Sequence, residues 1–178
     1  FSWRHSATIP DDGIVIIAGT GSAAFARLKG KYYRVGGWGQ LIDDAGSGYD
    51  IGRLGLRAVL RAYDGRAEET ALTNQFIKKM NGKAPWSAPG EIYTGGKEYI
   101  ASFAPLVLNA QGDPIADQIV TRSVFDLAQM VRAARKHPPK GGEIPVVLAG
   151  SIWKNDRVRH GVQKELGNSY IITVPRLK

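Results

Sequence analysis

The chain has 178 residues, 43% hydrophobic and 22% charged, which is enough apolar sequence for one sizeable core and far from a disordered composition. It carries a net charge of +8 and no cysteine, so disulfides, thiolate metal sites and cysteine-held iron–sulfur clusters are excluded. The positive charge is scattered, and no apolar run approaches the roughly 20 residues of a membrane helix, so neither a nucleic acid nor a membrane is expected as a partner.

Phe1–Asp12 has neither the apolar stretch nor the small-residue cleavage site of a signal peptide, and a cytoplasmic location is expected. Ile14-Val15-Ile16-Ile17 is a β-branched run that reads as a strand. It ends in Gly19-Thr20-Gly21-Ser22, where glycines let backbone N–H groups approach an anion and two hydroxyls add donors. Two readings stay open for that turn, a phosphate cradle or a plain hairpin connection. It lacks the lysine of a P-loop and leads to another strand, which excludes Walker and Rossmann loops. Ala24 to Leu28 and Tyr32 to Val35, separated by Lys29-Gly30-Lys31, read as the arms of a hairpin.

Next comes Gly36-Gly37-Trp38-Gly39-Gln40-Leu41-Ile42-Asp43-Asp44-Ala45-Gly46-Ser47-Gly48. A carboxylate such as Asp44 can accept hydrogen bonds from neighbouring sugar hydroxyls, and the Trp38 indole offers a flat face to a pyranose ring. Gly46-Ser47 at a helix start would also suit an anion. The plainer alternative is a tight turn with Asp44 capping the helix that follows. Over Gly48 to Tyr63, Ile51, Leu54, Gly55, Ala58, Val59 and Ala62 share one helical face, while Arg53, Arg57 and Arg61 form a row that reads as a solvated face.

A second helix is expected over Arg66 to Met80, then a connecting loop over Asn81 to Gly96, which holds four Gly and two Pro. Tyr99 to Leu108 is expected to be helical despite Pro105. Asp113-Pro114 starts the clearest helix, with a stripe of Val120, Val124, Leu127, Val131 and Ala134, ended by His137-Pro138-Pro139. Ile144 to Ala149 reads as a strand entering Gly150-Ser151-Ile152-Trp153-Lys154-Asn155, either a ligand crevice at a strand's carboxyl end or an ordinary strand-to-helix turn. A helix over Asp156 to Leu166, stopped by Gly167, and a strand over Tyr170 to Val174 complete a mixed α/β lobe with helices packed on a sheet.

In sequence and order, the Gly19-Thr20-Gly21-Ser22, Gly36-Gly37-Trp38-Gly39, Asp44-Ala45-Gly46-Ser47 and Gly150-Ser151-Ile152-Trp153 motifs resemble the N-acetylglucosamine kinase and BadF/BadG/BcrA/BcrD-type ATPase family. The resemblance spans most of Gly13 to Pro175. It implies one lobe of the actin-like, ribonuclease H-like ATPase fold, with ATP and Mg²⁺ as cofactors. Gly19, Thr20, Gly21, Gly150 and Ser151 match ATP-binding positions, and Ser22, Gly37, Trp38, Gly39 and Asp44 match positions lining the sugar site. Ala23 stands where the acetylglucosamine kinases tend to have Asn, a departure at the N-acetyl group.

The resemblance further implies that residues 1–12 are a remnant of a missing N-terminal lobe, and that residues 13–178 form a nucleotide- and sugar-binding lobe truncated at its C-terminal end. No catalytic base and no metal ligand are expected in this chain, which alone should be inactive. The expected parent is an ATP-dependent kinase of N-acetylglucosamine, glucosamine or a related hexose, with helices over Gly48 to Tyr63 and Asp113 to Lys136 offering faces for a homodimer. The alternatives are an ATPase activator of a CoA-ester dehydratase or reductase, against which the lack of cysteine counts, and a non-catalytic sugar- or nucleotide-responsive domain.

Overall fold

The computed structural model describes residues 12–83, 85–135 and 144–173. The end of the long helix at His137-Pro138-Pro139, the residues before Asp12 and the chain from Val174 onward lie outside them. Among the described residues five strands form one sheet: β1 (Gly13–Ala18), β2 (Ser22–Leu28), β3 (Lys31–Gly36), β4 (Ile144–Ala149) and β5 (Tyr170–Thr173). Their order is β3-β2-β1-β4-β5. The first three are an antiparallel meander, and β4 and β5 add to β1 in parallel, so the sheet is mixed as expected.

Register follows from alternation, because a strand places every second side chain on the same face. Ile16 pairs with Ala24 on one side and Leu148 on the other, and Ala24 pairs with Val35. On that face Ile14, Ile16, Ala18, Ala24, Ala26, Leu28, Ile144, Val146 and Leu148 are all buried. The β-branched residues of β1 and β4 therefore form the floor of the core.

Among the described residues six α-helices are built on it: α1 (Gly48–Tyr63), α2 (Leu72–Lys79), α3 (Ala88–Ala101), α4 (Ala104–Asn109), α5 (Pro114–Ala134) and α6 (Asp156–Leu166). The expected stripe of α5, Val120, Val124, Leu127, Val131 and Ala134, is buried throughout, against the sheet, α1 and α6. Among the described residues no helix is long and apolar enough to cross a membrane.

Three elements depart from the expectation for identifiable reasons. The second helix begins at Leu72 rather than near Arg66, because the Thr70 hydroxyl accepts the N–H of Leu72 at 3.2 Å and donates to Asp113 at 2.8 Å. The stretch expected as a loop contains most of α3, since Pro89 occupies the first turn, where a missing N–H costs nothing, and Gly95-Gly96 interrupt the helix rather than ending it. Pro105 likewise sits in the first turn of α4, so Tyr99 to Leu108 is two helices meeting at Ser102-Phe103.

Candidate functional site

The site is built where β1 and β4, parallel neighbours, end side by side. Gly19-Thr20-Gly21 closes the β1–β2 hairpin, with the Gly19 N–H donating to the Gly21 carbonyl at 2.9 Å. Two carbonyls of this loop turn into α1: Gly19 accepts from Gly48 N–H at 2.7 Å and Thr20 from Tyr49 N–H at 3.1 Å. The loop is thereby fixed to a helix. Among the described residues the N–H groups of Thr20 and Gly21 and the exposed Thr20 hydroxyl make no hydrogen bond. These are the donors a phosphate group would need.

The same bonds correct the expectation that Gly46-Ser47 would suit an anion. The Gly46 N–H donates to Asp50 Oδ2 at 3.2 Å and the Ser47 N–H to the Asp44 carbonyl at 3.1 Å. With Gly48 and Tyr49 engaged by the hairpin loop and Asp50 N–H by Ser47 Oγ at 3.2 Å, the first turn of α1 has no donor to offer. Ser47, and not Asp44, is the cap of that helix.

Gly150 follows β4 with φ 110°, and a Cβ placed on it would lie 2.6 Å from the Ala18 carbonyl carbon. Glycine is required there so that the two strand ends can converge. Ser151 and Lys154 then stand in a short 3₁₀ turn and Asn155 caps α6, its Oδ1 accepting the N–H groups of Arg157 and Val158 at 3.1 and 3.3 Å. Trp153 of this motif is buried core.

A cleft of about 430 Å³ lies across these ends, within the range of small-molecule sites. Gly19, Thr20 and Ser151 line it, opposite Glu98 and Ala101 of α3, its C-cap Ser102, and the α4 residues Pro105, Leu108 and Asn109. The structure therefore brings the expected phosphate loop and the expected adenosine turn into one cleft.

Of the residues expected at the sugar site, Ser22, Gly37 and Asp44 come together beside the phosphate loop. The Ser22 N–H donates to Asp44 Oδ1 at 3.3 Å, and its hydroxyl donates to the Ala45 carbonyl at 2.7 Å. A Cβ on Gly37 would touch the Ala23 side chain at 2.8 Å, so the Gly-rich segment lies directly on β2. Asp44 is 3% exposed, and its φ of 63° is a left-handed conformation that Asp tolerates better than most residues. Its Oδ2 accepts the ammonium of Lys97 at 2.6 Å.

Trp38 and Gly39 stand apart from this group. The Trp38 indole is 67% exposed, has Arg34 over it at 5.0 Å, and lines a separate groove of about 440 Å³ with Val35, Ile42, Asp43, Asp126 and Met130. Asp126 lies in that groove with its carboxyl pushed above the usual carboxylate range, by burial first and then by Asp50 and Asp43, while Arg122 pulls the other way.

The sequence reading missed Lys97 and the α3–α4 wall of the cleft. The available signal was Gly95-Gly96-Lys97, two glycines able to break a helix directly before a lysine. Gly96 has φ 60° and ψ −150°, and the break brings Tyr99 back to donate to Glu91 at 2.6 Å, across the two halves of α3. Burial and that bond raise the Tyr99 hydroxyl to about 12.

The chain is 37% identical over 127 residues to an N-acetylmuramic acid/N-acetylglucosamine kinase of Clostridium acetobutylicum, covering 68% of this chain and 42% of that one. It is 32% identical over 152 residues to a glucosamine kinase of Vibrio cholerae, covering 82% and 49%. A crystal structure of a Chromobacterium violaceum protein assigned as an N-acetylglucosamine kinase superposes with TM-score 0.78 at 27% identity, over 92% of this chain and 55% of that one. The chain thus spans about half the length of the relatives it matches. Its fold is one lobe of the actin-like ATPase architecture of sugar kinases. The sequence profile of the BadF/BadG/BcrA/BcrD ATPase family matches residues 4–176, and the chain belongs to that family.

Proposed function

We propose that residues 13–178 are the C-terminal lobe of a cytoplasmic, ATP-dependent amino-sugar kinase of the N-acetylglucosamine or glucosamine class, and that residues 1–12 end its N-terminal lobe. One observation carries the reading: Gly19, Thr20 and Ser151 line a single cleft, and the buried carboxylate of Asp44 lies against the same loop.

The Thr20 and Gly21 N–H groups and the Thr20 hydroxyl bind phosphate oxygens, Gly150 and Ser151 receive the nucleoside, and Asp44 accepts hydrogen bonds from sugar hydroxyls. Ser22 holds Asp44 through its backbone N–H, and Gly37 lies beside Ser22 and Ala23 on β2. A sugar hydroxyl oxygen bonds to the γ-phosphorus, the bond to the β–γ bridging oxygen breaks, and that oxygen leaves on ADP. The hydroxyl proton passes to a carboxylate base of the N-terminal lobe. Mg²⁺ supplies charge neutralisation to the phosphates. Among the described residues no group of three or more His, Asp or Glu side chains is placed to hold a metal.

The test is ADP release by the full-length protein with ATP and a panel of N-acetylglucosamine, glucosamine, N-acetylmuramic acid and glucose. Asp44→Ala removes charged hydrogen bonds, each contributing about 1.5–3 kcal/mol, so sugar affinity should fall roughly 10- to 150-fold. Unchanged sugar affinity in Asp44→Ala would overturn the site assignment.

A further inference from the structure

Lys97 is a placed charge that the sequence motifs do not account for. Its ammonium bonds Asp44 Oδ2 at 2.6 Å, and a Cβ on Gly21 would lie 3.0 Å from that ammonium and 2.9 Å from Asp44 Oδ1. The missing side chain of Gly21 therefore makes room for the ion pair, and the pair stands directly on the phosphate loop. Lys97 also opens the second half of α3, whose next turn, Glu98, Ala101 and Ser102, is a wall of the nucleotide cleft. The helix break at Gly96 and the Tyr99–Glu91 bond hold that half in place.

Two features say that this pair is not only structural. Asp44 is buried on three sides, by Ser22, by Gly21 and by Lys97 itself, so sugar hydroxyls reach its Oδ2 only if the lysine yields. Lys97 can yield: its side chain is 27% exposed against 5% for Asp44, and it is a flexible chain with a mobile point charge. A loop that binds triphosphate without a P-loop lysine also leaves the transferring phosphoryl charge without a cation from the loop itself.

We propose that Lys97 is a phosphate-contacting residue of the kinase. Parked on Asp44 in this structure, its ammonium is released when sugar hydroxyls take over Asp44 and turns toward Gly21 and the γ-phosphate oxygens. It binds them most strongly as negative charge shifts during transfer, and thereby links sugar binding to phosphoryl transfer. The bonds made and broken, and the proton's path to the N-terminal lobe, are those of the kinase reaction above, on which this inference rests.

The experiment compares full-length wild type with Lys97→Met and Lys97→Arg, measuring kcat, sugar KM, and affinity for ADP and a non-hydrolysable ATP analogue by calorimetry. Loss of one preorganised charge stabilising a transition state lowers rate by about 100-fold or more, so Lys97→Met should lose that much kcat whatever its effect on sugar KM, and Lys97→Arg should recover at least tenfold of it. The preference of wild type for the analogue over ADP should collapse toward unity in Lys97→Met. Because Lys97→Met leaves Asp44 buried without its partner and can fail to fold, Asp44→Asn is compared with Asp44→Asn/Lys97→Met, and the second should again lose the γ-phosphate preference. Lys97→Met with kcat within twofold of wild type, or an effect confined to sugar KM and melting temperature, would show a structural countercharge and overturn the proposal. Wild type that bound neither nucleotide would instead refute the kinase reading and the proposal with it.

Discussion

Gly19 lines the cleft and Gly150 precedes its Ser151, yet alanine at the two positions should fail in opposite ways. At Gly150 the backbone φ of 110° is outside the range L-residues tolerate, a strain of about 1–3 kcal/mol. The new Cβ would also overlap the Ala18 carbonyl and lie 3.1 Å from the Ala18 nitrogen, both backbone atoms of β1 that cannot rotate away. Relief requires β4 to shift from β1 near the Ile17–Ala149 pair, weakening one or two ladder bonds at about 1 kcal/mol each. The sum is about 2–5 kcal/mol. At about 2–4 °C per kcal/mol for a chain of this size, Gly150→Ala should melt roughly 5–20 °C lower. At Gly19 a Cβ meets nothing within 4 Å and points into open space of the cleft. Gly19→Ala should therefore melt within about 1–2 °C of wild type, a change of about 0.5 kcal/mol, while nucleotide affinity falls because the methyl occupies ligand space. Thermal denaturation followed by circular dichroism, with calorimetric titration of the nucleotide, separates the two. Equal melting temperatures for Gly150→Ala and wild type would refute the argument that the strand ends demand glycine.

Two carboxylates give pH-dependent tests of opposite sign. Asp113 accepts Ala116 N–H at 2.9 Å, Thr70 hydroxyl at 2.8 Å and Ala71 N–H at 2.8 Å, and although burial pushes its carboxyl up, these bonds and one from Ile115 hold it below the ordinary range. A depressed carboxyl stabilises the fold above its unfolded value of about 4 and loses that contribution as pH falls through the folded value. Asp113→Asn should therefore cost about 1–3 kcal/mol in urea denaturation at pH 7, with the gap closing in acid; a pH-independent gap would refute the assignment. Asp126 is raised by burial, its Oδ2 is buried without a hydrogen bond, and Arg122 approaches it only to 3.6 Å. A raised carboxyl favours folding when protonated, so stability is lost as pH rises from about 4 through the folded value, and Asp126→Asn should be more stable than wild type at pH 7 and equal near pH 3. A less stable Asp126→Asn at pH 7 would contradict this.

What the sequence made legible was whatever is encoded within a few residues. The α5 stripe, the Asp113 cap, the stop at Gly167 and the β1–β2–β3 meander are local patterns, and each appears with its expected residues. The failures share a different origin. Pro89, Gly95, Gly96 and Pro105 carry loop-forming preference in themselves, but prolines in a first turn and glycines at a break are compatible with helix, and the packing of Ile100, Phe103, Ala104 and Val107 into the core decided the matter. No local rule could report that packing.

The site divides along the same line. Gly150 and Gly21 were readable as ligand-facing glycines, yet the structure gives each a further reason, the convergence of two strand ends in one case and space for an ion pair in the other. The pair joins residues 44 and 97, 53 positions apart, and only the broken helix brings them together. Motif reading finds the half of a polar contact that lies in a glycine-rich loop, because such loops are unusual in composition. It misses the half that lies on a helix, because a lysine there is ordinary until its partner is known. A buried carboxylate without a visible partner in a motif is therefore a reason to look for a distant cation before assigning the carboxylate wholly to a ligand. For Asp44 that cation is Lys97, and any ligand that takes Asp44 Oδ2 must contend with the ammonium already bonded there.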